Sequence, residues 1–340
     1  REPVSPSPHG ASGVRQSRQT GSVTWRRWDE AWHDALYGPA GFYRHAAPAD
    51  HFATSAQGLG PAGDLFAEAL ARLAERHGTG RVVEVAAGRG ELLSALARHA
   101  PNLELLGVEV VERPTGLPDR IDWLRSPGGS GLPDELVGLT GTLLIAHEWL
   151  DVVPCPVVAR EAPDLPWYHL EVDAAGRERP GAPVQGADLD WLTVHVPDHL
   201  GRAEVGLPRD TAYDDLVSRV GEGLVLAIDY GHTRDSRPPE GTFSAYRDGT
   251  QVPPVPDGTC DLTAHVAVDT LQADDVRTQR EVLHDLLGPA TLPPHALSRT
   301  EPTAYLRQLA RANALATLTS NSGLGGFWWA MSHRGSADLG

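Results

Sequence analysis

Continuous apolar runs bounded by turn residues recur along the chain at Val82–Val85, Leu103–Val108, Thr142–Ala146, Gly223–Ile228 and Phe327–Met331. Such runs suit strands buried on both faces of a parallel sheet. Around them the apolar spacing changes to that of helices, over Trp25–Leu36, Gly63–Arg76, Tyr213–Val220, Val266–Gln272, Thr278–Leu287 and Pro302–Ala316, and in the stretch carrying Leu92, Leu93, Leu96 and Ala97. Strands interleaved with helices predict an α/β fold, a mostly parallel seven-stranded Rossmann-like sheet with helices on both faces. Two segments depart from this rhythm. Trp167–Val172 and Trp191–Val196 alternate like half-exposed strands around the turn Ala174–Arg177, which predicts an antiparallel insertion at about 155–215, either covering a cleft in the sheet or elaborating its edge. Residues 232–262, rich in Pro and Gly, read as a long ordered loop or lid.

The N-terminal residues 1–24 are rich in Pro, Ser, Gly and Arg without an apolar period, and read as a flexible tail. Residues 25–78 read as a helical segment in which Trp25, Trp28, Trp32 and Leu36 form an aromatic stripe for the core. The main domain spans 79–340.

The stretch Val82–Leu92 joins a buried strand to a helix through Ala86-Ala87-Gly88-Arg89-Gly90. A tight glycine turn of this kind brings backbone N–H groups and a helix dipole against a ligand at a strand's carboxyl end. A dinucleotide fingerprint needs a third glycine, and counting from Gly88 that position is Leu93. The alternative pattern, acidic-x-G-x-G-x-G, is met at Glu84, Gly88 and Gly90, with Ala86 in place of the first glycine; a methyl there needs only φ < 0 and a little room. This resembles the first motif of class I S-adenosyl-L-methionine (SAM) methyltransferases. The next strand ends at Glu109, about twenty residues on, where a carboxylate accepts both ribose hydroxyls. Asp122 with Trp123 stands where an adenine amino group would be bound and the ring stacked, or else is a loop Asp beside a core Trp.

Several further motifs occur in fixed order. Ala35–Arg44 (ALYGPAGFYR), His51–Ser55 (HFATS), the glycine turn, His147-Glu148-Trp149-Leu150-Asp151-Val152-Val153-Pro154, Ile228-Asp229-Tyr230-Gly231, Gly241-Thr242-Phe243 with Tyr246, and Asp261-Leu262-Thr263-Ala264-His265-Val266 are similar in order and spacing to the MidA family. That family comprises bacterial and mitochondrial methyltransferase-like proteins, the mitochondrial ones assisting respiratory complex I assembly. This sequence departs from it at Ala86 for Gly, His147 for Asn, His51 for Asp, and Asp248-Gly249 where a His is common. The resemblance implies SAM as cofactor and N-methylation of an arginine in a protein. A guanidinium stays protonated in water, so carboxylates are needed to orient its fork and favour the attacking lone pair. Glu148, then Asp151, then Asp229 are the catalytic candidates, with His147 as base or orienting residue. The structural alternatives are a hydrogen-bonding Glu148, a turn-capping Asp151 and a core His147. The altered pocket side leaves a small-molecule or peptide acceptor open, and a non-catalytic fold that binds a client protein is a third reading.

Composition narrows the partners. The 340 residues are 41% hydrophobic and 22% charged, every basic residue is Arg, and the net charge is −16. That balance argues against a nucleic-acid groove or an anionic membrane surface and suits a cationic substrate. Cys155 and Cys260 are too few for a disulfide framework, and no C-x-x-C or His/Cys cluster predicts a metal. No apolar run reaches the ~18 residues of a membrane span and no signal-peptide core is seen, so a cytoplasmic protein is expected. Oligomeric state is left open.

Overall fold

The structure, a computed structural model, describes residues 23–45 and 60–335. The expected His51–Ser55 motif and nearly all of the expected tail lie outside them. The central sheet has seven strands: β1 (Arg81–Val85), β2 (Glu104–Glu109), β3 (Ile121–Arg125), β4 (Thr142–His147), β5 (Gly223–Asp229), β6 (Asp275–Thr278) and β7 (Trp328–Arg334). Their order is β6-β7-β5-β4-β1-β2-β3. Only β7 runs against its neighbours, antiparallel to both β5 and β6. The chain winds outward from β1 to β3 and then returns to the other side of β1 with β4. The crevice beyond the carboxyl ends of β1 and β4 is where such a sheet takes a ligand.

Because side chains alternate along a strand, each central strand feeds two cores. Val82, Leu105, Leu143, Ile145, Leu224 and Leu226 pack under α2 (Pro61–Arg76), α3 (Glu91–His99) and two later helices, α5 (Gln279–Leu287) and α6 (Pro302–Leu318). Val83, Leu106, Leu144, Val225 and Ala227 pack on the other face against Tyr213 and Leu216 of α4 (Leu207–Ser218). The same parity puts Glu84, Glu109 and His147 on the first face at the strand ends, and Asp229 on the second.

The N-terminal stripe packs as expected for Trp28, Trp32 and Leu36, all buried in α1 (Trp28–Tyr37). Trp25 is not part of the helix. Arg26–Arg27 pair as a strand with Glu171 and Val172, and the Trp25 ring lies under the Arg179 guanidinium at 4.6 Å. Trp28 and Trp32 clasp Phe243, with ring centroids 4.6 and 4.7 Å apart, and the Trp32 indole donates to the Leu262 carbonyl at 2.9 Å. Helix α1 therefore anchors the segment that runs from Phe243 to Thr263.

Three expected elements differ. An antiparallel sheet is present, built from Val157–Ala159, Tyr168–Val172, Glu178–Pro183 and Arg202–Glu204 together with Arg26–Arg27. Trp191–Val196 is not one of its strands but part of a helix, Ala187–His195. Adjacent Trp191 and Leu192 are both buried there while Val194 is exposed, which no alternating strand allows; the indole packs on Gly206 and donates to Asp210 at 2.7 Å. Val266–Gln272 is likewise not a helix. Val266–Ala267 pair in parallel with Gly231–His232, and Thr270 donates to the Ala267 carbonyl at 2.8 Å to close a turn. The Pro- and Gly-rich stretch holds a hairpin, Ser244–Arg247 with Thr250–Val252, and the strand Asp261–Thr263.

One buried cation joins these parts. Arg209 of α4 is 2% exposed and donates to the carbonyls of Asp151 (2.7 Å), Val153 (3.1 Å), Ala264 (3.0 Å) and His265 (3.0 Å). Replacing it by Met takes the side-chain donor from four carbonyls, of which that of Asp151 keeps the Ala264 N–H at 3.1 Å, so Arg209→Met is expected to lower unfolding free energy by about 3 kcal/mol or more. A urea denaturation midpoint unchanged from wild type would refute that role.

Candidate functional site

A cavity of about 430 Å³ opens beyond the ends of β1, β2 and β4. Its floor is the turn after β1. Ala86 and Gly88 line it, with φ of 57° and 56°. Ala86 thus does not take the negative φ expected of it: its methyl sits in the left-handed region, at a cost of about 1–2 kcal/mol. Gly90 does not reach the cavity. It precedes α3 at φ 77°, and a Cβ there would meet Leu117 Cδ1 at 2.5 Å, so this glycine serves the fold.

Glu84 is buried at the cavity wall, and its Oε2 has no hydrogen-bond partner. Burial, with Glu91 and Glu109 nearby, pushes its pKa well above the ordinary carboxylate value. Glu109 faces the same space. Its Oε2 accepts from Gly88 N–H at 2.9 Å and its Oε1 from Val110 N–H at 2.6 Å, which fixes the carboxylate while lone pairs remain on both oxygens. Burial raises its pKa against the pull of those two bonds.

Asp122 and Trp123, the expected adenine partners, do not line the cavity. Asp122 is exposed on the second face of the edge strand β3. Trp123 packs on Gly107 and Leu93 and donates to the Val111 carbonyl at 3.1 Å, a core role. Val110, Ser126, Gly128 and Gly129 line the cavity instead.

The end of β4 delivers three of the four catalytic candidates to the cavity: His147, Glu148 and Asp151. His147 stacks on Phe66 with centroids 5.3 Å apart, and desolvation lowers its pKa to about 4, so the ring is neutral at pH 7. Its Nε2 lies 3.3 Å from Glu148 Oε1. Glu148 holds a left-handed backbone, φ 52°, with its N–H donated to the Ile228 carbonyl at 2.8 Å. Asp151 Oδ2 accepts from Thr263 at 2.7 Å and from the Tyr230 hydroxyl, while Oδ1 is buried without a partner. Burial raises the Asp151 pKa, and the Tyr230, Thr263 and Arg209 contacts oppose that rise.

Asp229 is the candidate that the structure removes from the cavity wall. Its Oδ2 accepts from Asp151 N–H at 3.1 Å and its Oδ1 from Tyr230 N–H at 3.0 Å. It braces the ends of β4 and β5 against each other, as its place on the second face of the sheet dictates.

Other lining residues were not read from sequence. Tyr37 and Tyr43 come from the N-terminal helices, and Tyr246, Gly249, Asp261, Thr263 and His265 from the segment after β5. None comes from the antiparallel sheet, which therefore does not cover the cleft as expected; α1 and the Phe243–Thr263 segment do. The available signal was the Asp-Leu-Thr triplet, whose alternation puts an acid and a hydroxyl on one face. Among the described residues five carboxyl groups line the cavity, from Glu84, Glu109, Glu148, Asp151 and Asp261, and no Arg does. His265, like His147, has its pKa lowered by burial. Among the described residues no group of His, Cys, Asp and Glu fits a metal ion, and no helix is long and apolar enough to cross a membrane.

Two solved structures from Burkholderia thailandensis share this architecture. One, bound to S-adenosyl-homocysteine, aligns with a TM-score of 0.69 at 23% identity, covering 91% of this chain and 88% of that one. The other, a native structure of the same superfamily, gives 0.66 at 22% identity, covering 91% and 87%. At these identities the likeness shows the fold. No curated protein matches the chain. A family model for S-adenosyl-L-methionine-dependent methyltransferases matches residues 63–283, more than half of the chain. With the SAM-type turn, the reversed sheet order and the acidic cavity in place, the chain belongs to that methyltransferase family.

Proposed function

We propose that the enzyme methylates a cationic nitrogen, the guanidinium of an arginine in a protein or peptide, and that it is a MidA-type member of its family. The observation that carries this reading is the acidic wall of the cavity: five carboxyl groups and, among the described residues, no Arg. Such a wall offers an anionic acceptor no counter-charge and gives a cation carboxyl groups that ionise against it. A volume of about 430 Å³ suits a cofactor with one side-chain-sized acceptor, so a small guanidine is the alternative occupant.

The residues fit SAM. Glu84, with a buried unpartnered oxygen, suits the ammonium of the methionine part, and Glu109 suits the ribose hydroxyls. Ala86 and Gly88 let the backbone approach between them. The cofactor supplies a methyl group on a sulfonium, so the protein's work is alignment and exclusion of water. Glu148 and Asp151 take the guanidinium N–H groups and hold the attacking nitrogen in line, and Glu148 accepts the proton that this nitrogen loses on methylation. Neutral His147 stands beside Glu148 and orients it. Asp229 positions Asp151 through its N–H. Tyr37, Tyr43 and Tyr246 line the same cavity.

Glu109→Ala is expected to weaken SAM binding about tenfold or more, roughly 1.4 kcal/mol, in a calorimetric titration; wild-type affinity would remove Glu109 from the cofactor site. Glu148→Gln should keep SAH affinity while methyl transfer to an arginine-containing peptide falls about a hundredfold or more. Full transfer by that variant would exclude Glu148 from the mechanism. Ala86→Gly, which relieves the left-handed alanine, should raise stability by about 1 kcal/mol in urea denaturation, with SAM affinity unchanged or improved.

A further inference from the structure

Asp261 is buried and is one of the five carboxyl groups in the cavity wall. It opens the strand Asp261–Thr263, where alternation turns Leu262 into the aromatic core around α1 and leaves Asp261 and Thr263 on the cavity side. The Tyr43 hydroxyl donates to its Oδ1 at 2.7 Å. That contact joins residues 218 apart in sequence and ties the N-terminal helices to the cavity wall. Facing Asp261 are Tyr43 and Tyr37 from the N-terminal helices, Asp151 from the loop after β4, and Tyr246 opposite it on the paired strand, with Cys260 beside it. None of these is a cation.

We propose that Asp261, oriented by Tyr43, is a further acceptor-binding residue, taking an N–H of the guanidinium together with Glu148 and Asp151 and so selecting a cationic acceptor. This rests on the arginine reading above. A guanidinium has five N–H donors, more than Glu148 and the open Asp151 Oδ1 can both satisfy and orient, and a third carboxylate completes the set. Burial, reinforced by Asp151, holds the Asp261 carboxyl at a pKa of about 8 in the free protein. At pH 7 it is mostly protonated, and a proton leaves when the cation arrives. The sign follows: the guanidinium is charged throughout, its binding favours the carboxylate, and affinity rises with pH up to about 8 and then levels.

Ethylguanidinium chloride, titrated into the SAH-saturated protein against sodium chloride at equal ionic strength, tests this. Wild type should bind it with affinity rising as pH approaches 8. Asp261→Asn should bind about tenfold more weakly above that pH and lose this part of the rise, with SAH affinity intact. Tyr43→Phe should keep the rise but move it to higher pH, because the lost phenol hydrogen bond no longer favours the carboxylate. Asp261→Asn with wild-type affinity and pH profile would overturn the assignment and leave the arginine reading standing. Loss of SAH affinity in Asp261→Asn would mark a structural residue and also overturn it. No ethylguanidinium binding by the wild-type complex would overturn both.

Discussion

Arg209 is the residue on which the site's geometry depends. A guanidinium taken out of water needs acceptors for its donors, and here backbone carbonyls from the loop after β4 and from the segment after Thr263 supply them. Those are the loops that place Asp151 and Thr263 at the cavity. The guanidinium also lies 5.5 Å from the Trp32 ring, so α1 is packed on the same cation. Its charge opposes the effect of burial on Asp151 and Asp229, which lets an acidic wall persist in a low-dielectric setting. One positive group behind the wall thus holds the loops and moderates the negative groups in front of it.

The central sheet was readable because its signal is local. Runs such as Val82–Val85 and Gly223–Ile228 are buried on both faces, and no neighbour is needed to recognise them. Trp191–Val196 failed because its alternation is incidental: the Gly206 surface and Asp210 determine where Trp191 packs, and both lie in another element. Val266 and Val268 share a spacing of two and pack on the sheet, so the stretch is an extended pair and a turn. Trp25 matched the helical stripe, yet pairing of Arg26–Arg27 with a distant strand took precedence.

For the site the divide is the same. Glu84, Ala86, Gly88, Glu109, His147, Glu148 and Asp151 stand at strand ends or in the turn that follows, and all reach the cavity. Strand parity then separates residues that a strand-end argument treats alike. Asp229 and Asp122 fall on the second face, the former braced between strands, the latter exposed on the edge. Asp261 and Tyr43 were not legible as a pair, because each acquires its role only through a partner far away in sequence.

Strain gathers where the ligand would be. Among the described residues, three that are not glycine adopt positive φ: Ala86, Glu148 and Asp248. Ala86 and Glu148 line the cavity, and Asp248 precedes Gly249, which also lines it. Such conformations persist only where surrounding contacts over-determine them. Glu148 is held by its N–H bond to Ile228, and the hairpin carrying Asp248 is paired to the strand of Asp261. The cavity therefore combines buried carboxyl groups with unfavourable backbone, both of which cost stability in the empty protein. A cationic ligand relieves the first of these, and that relief enters its affinity directly, because what binding removes from the free protein's cost it gains as binding free energy.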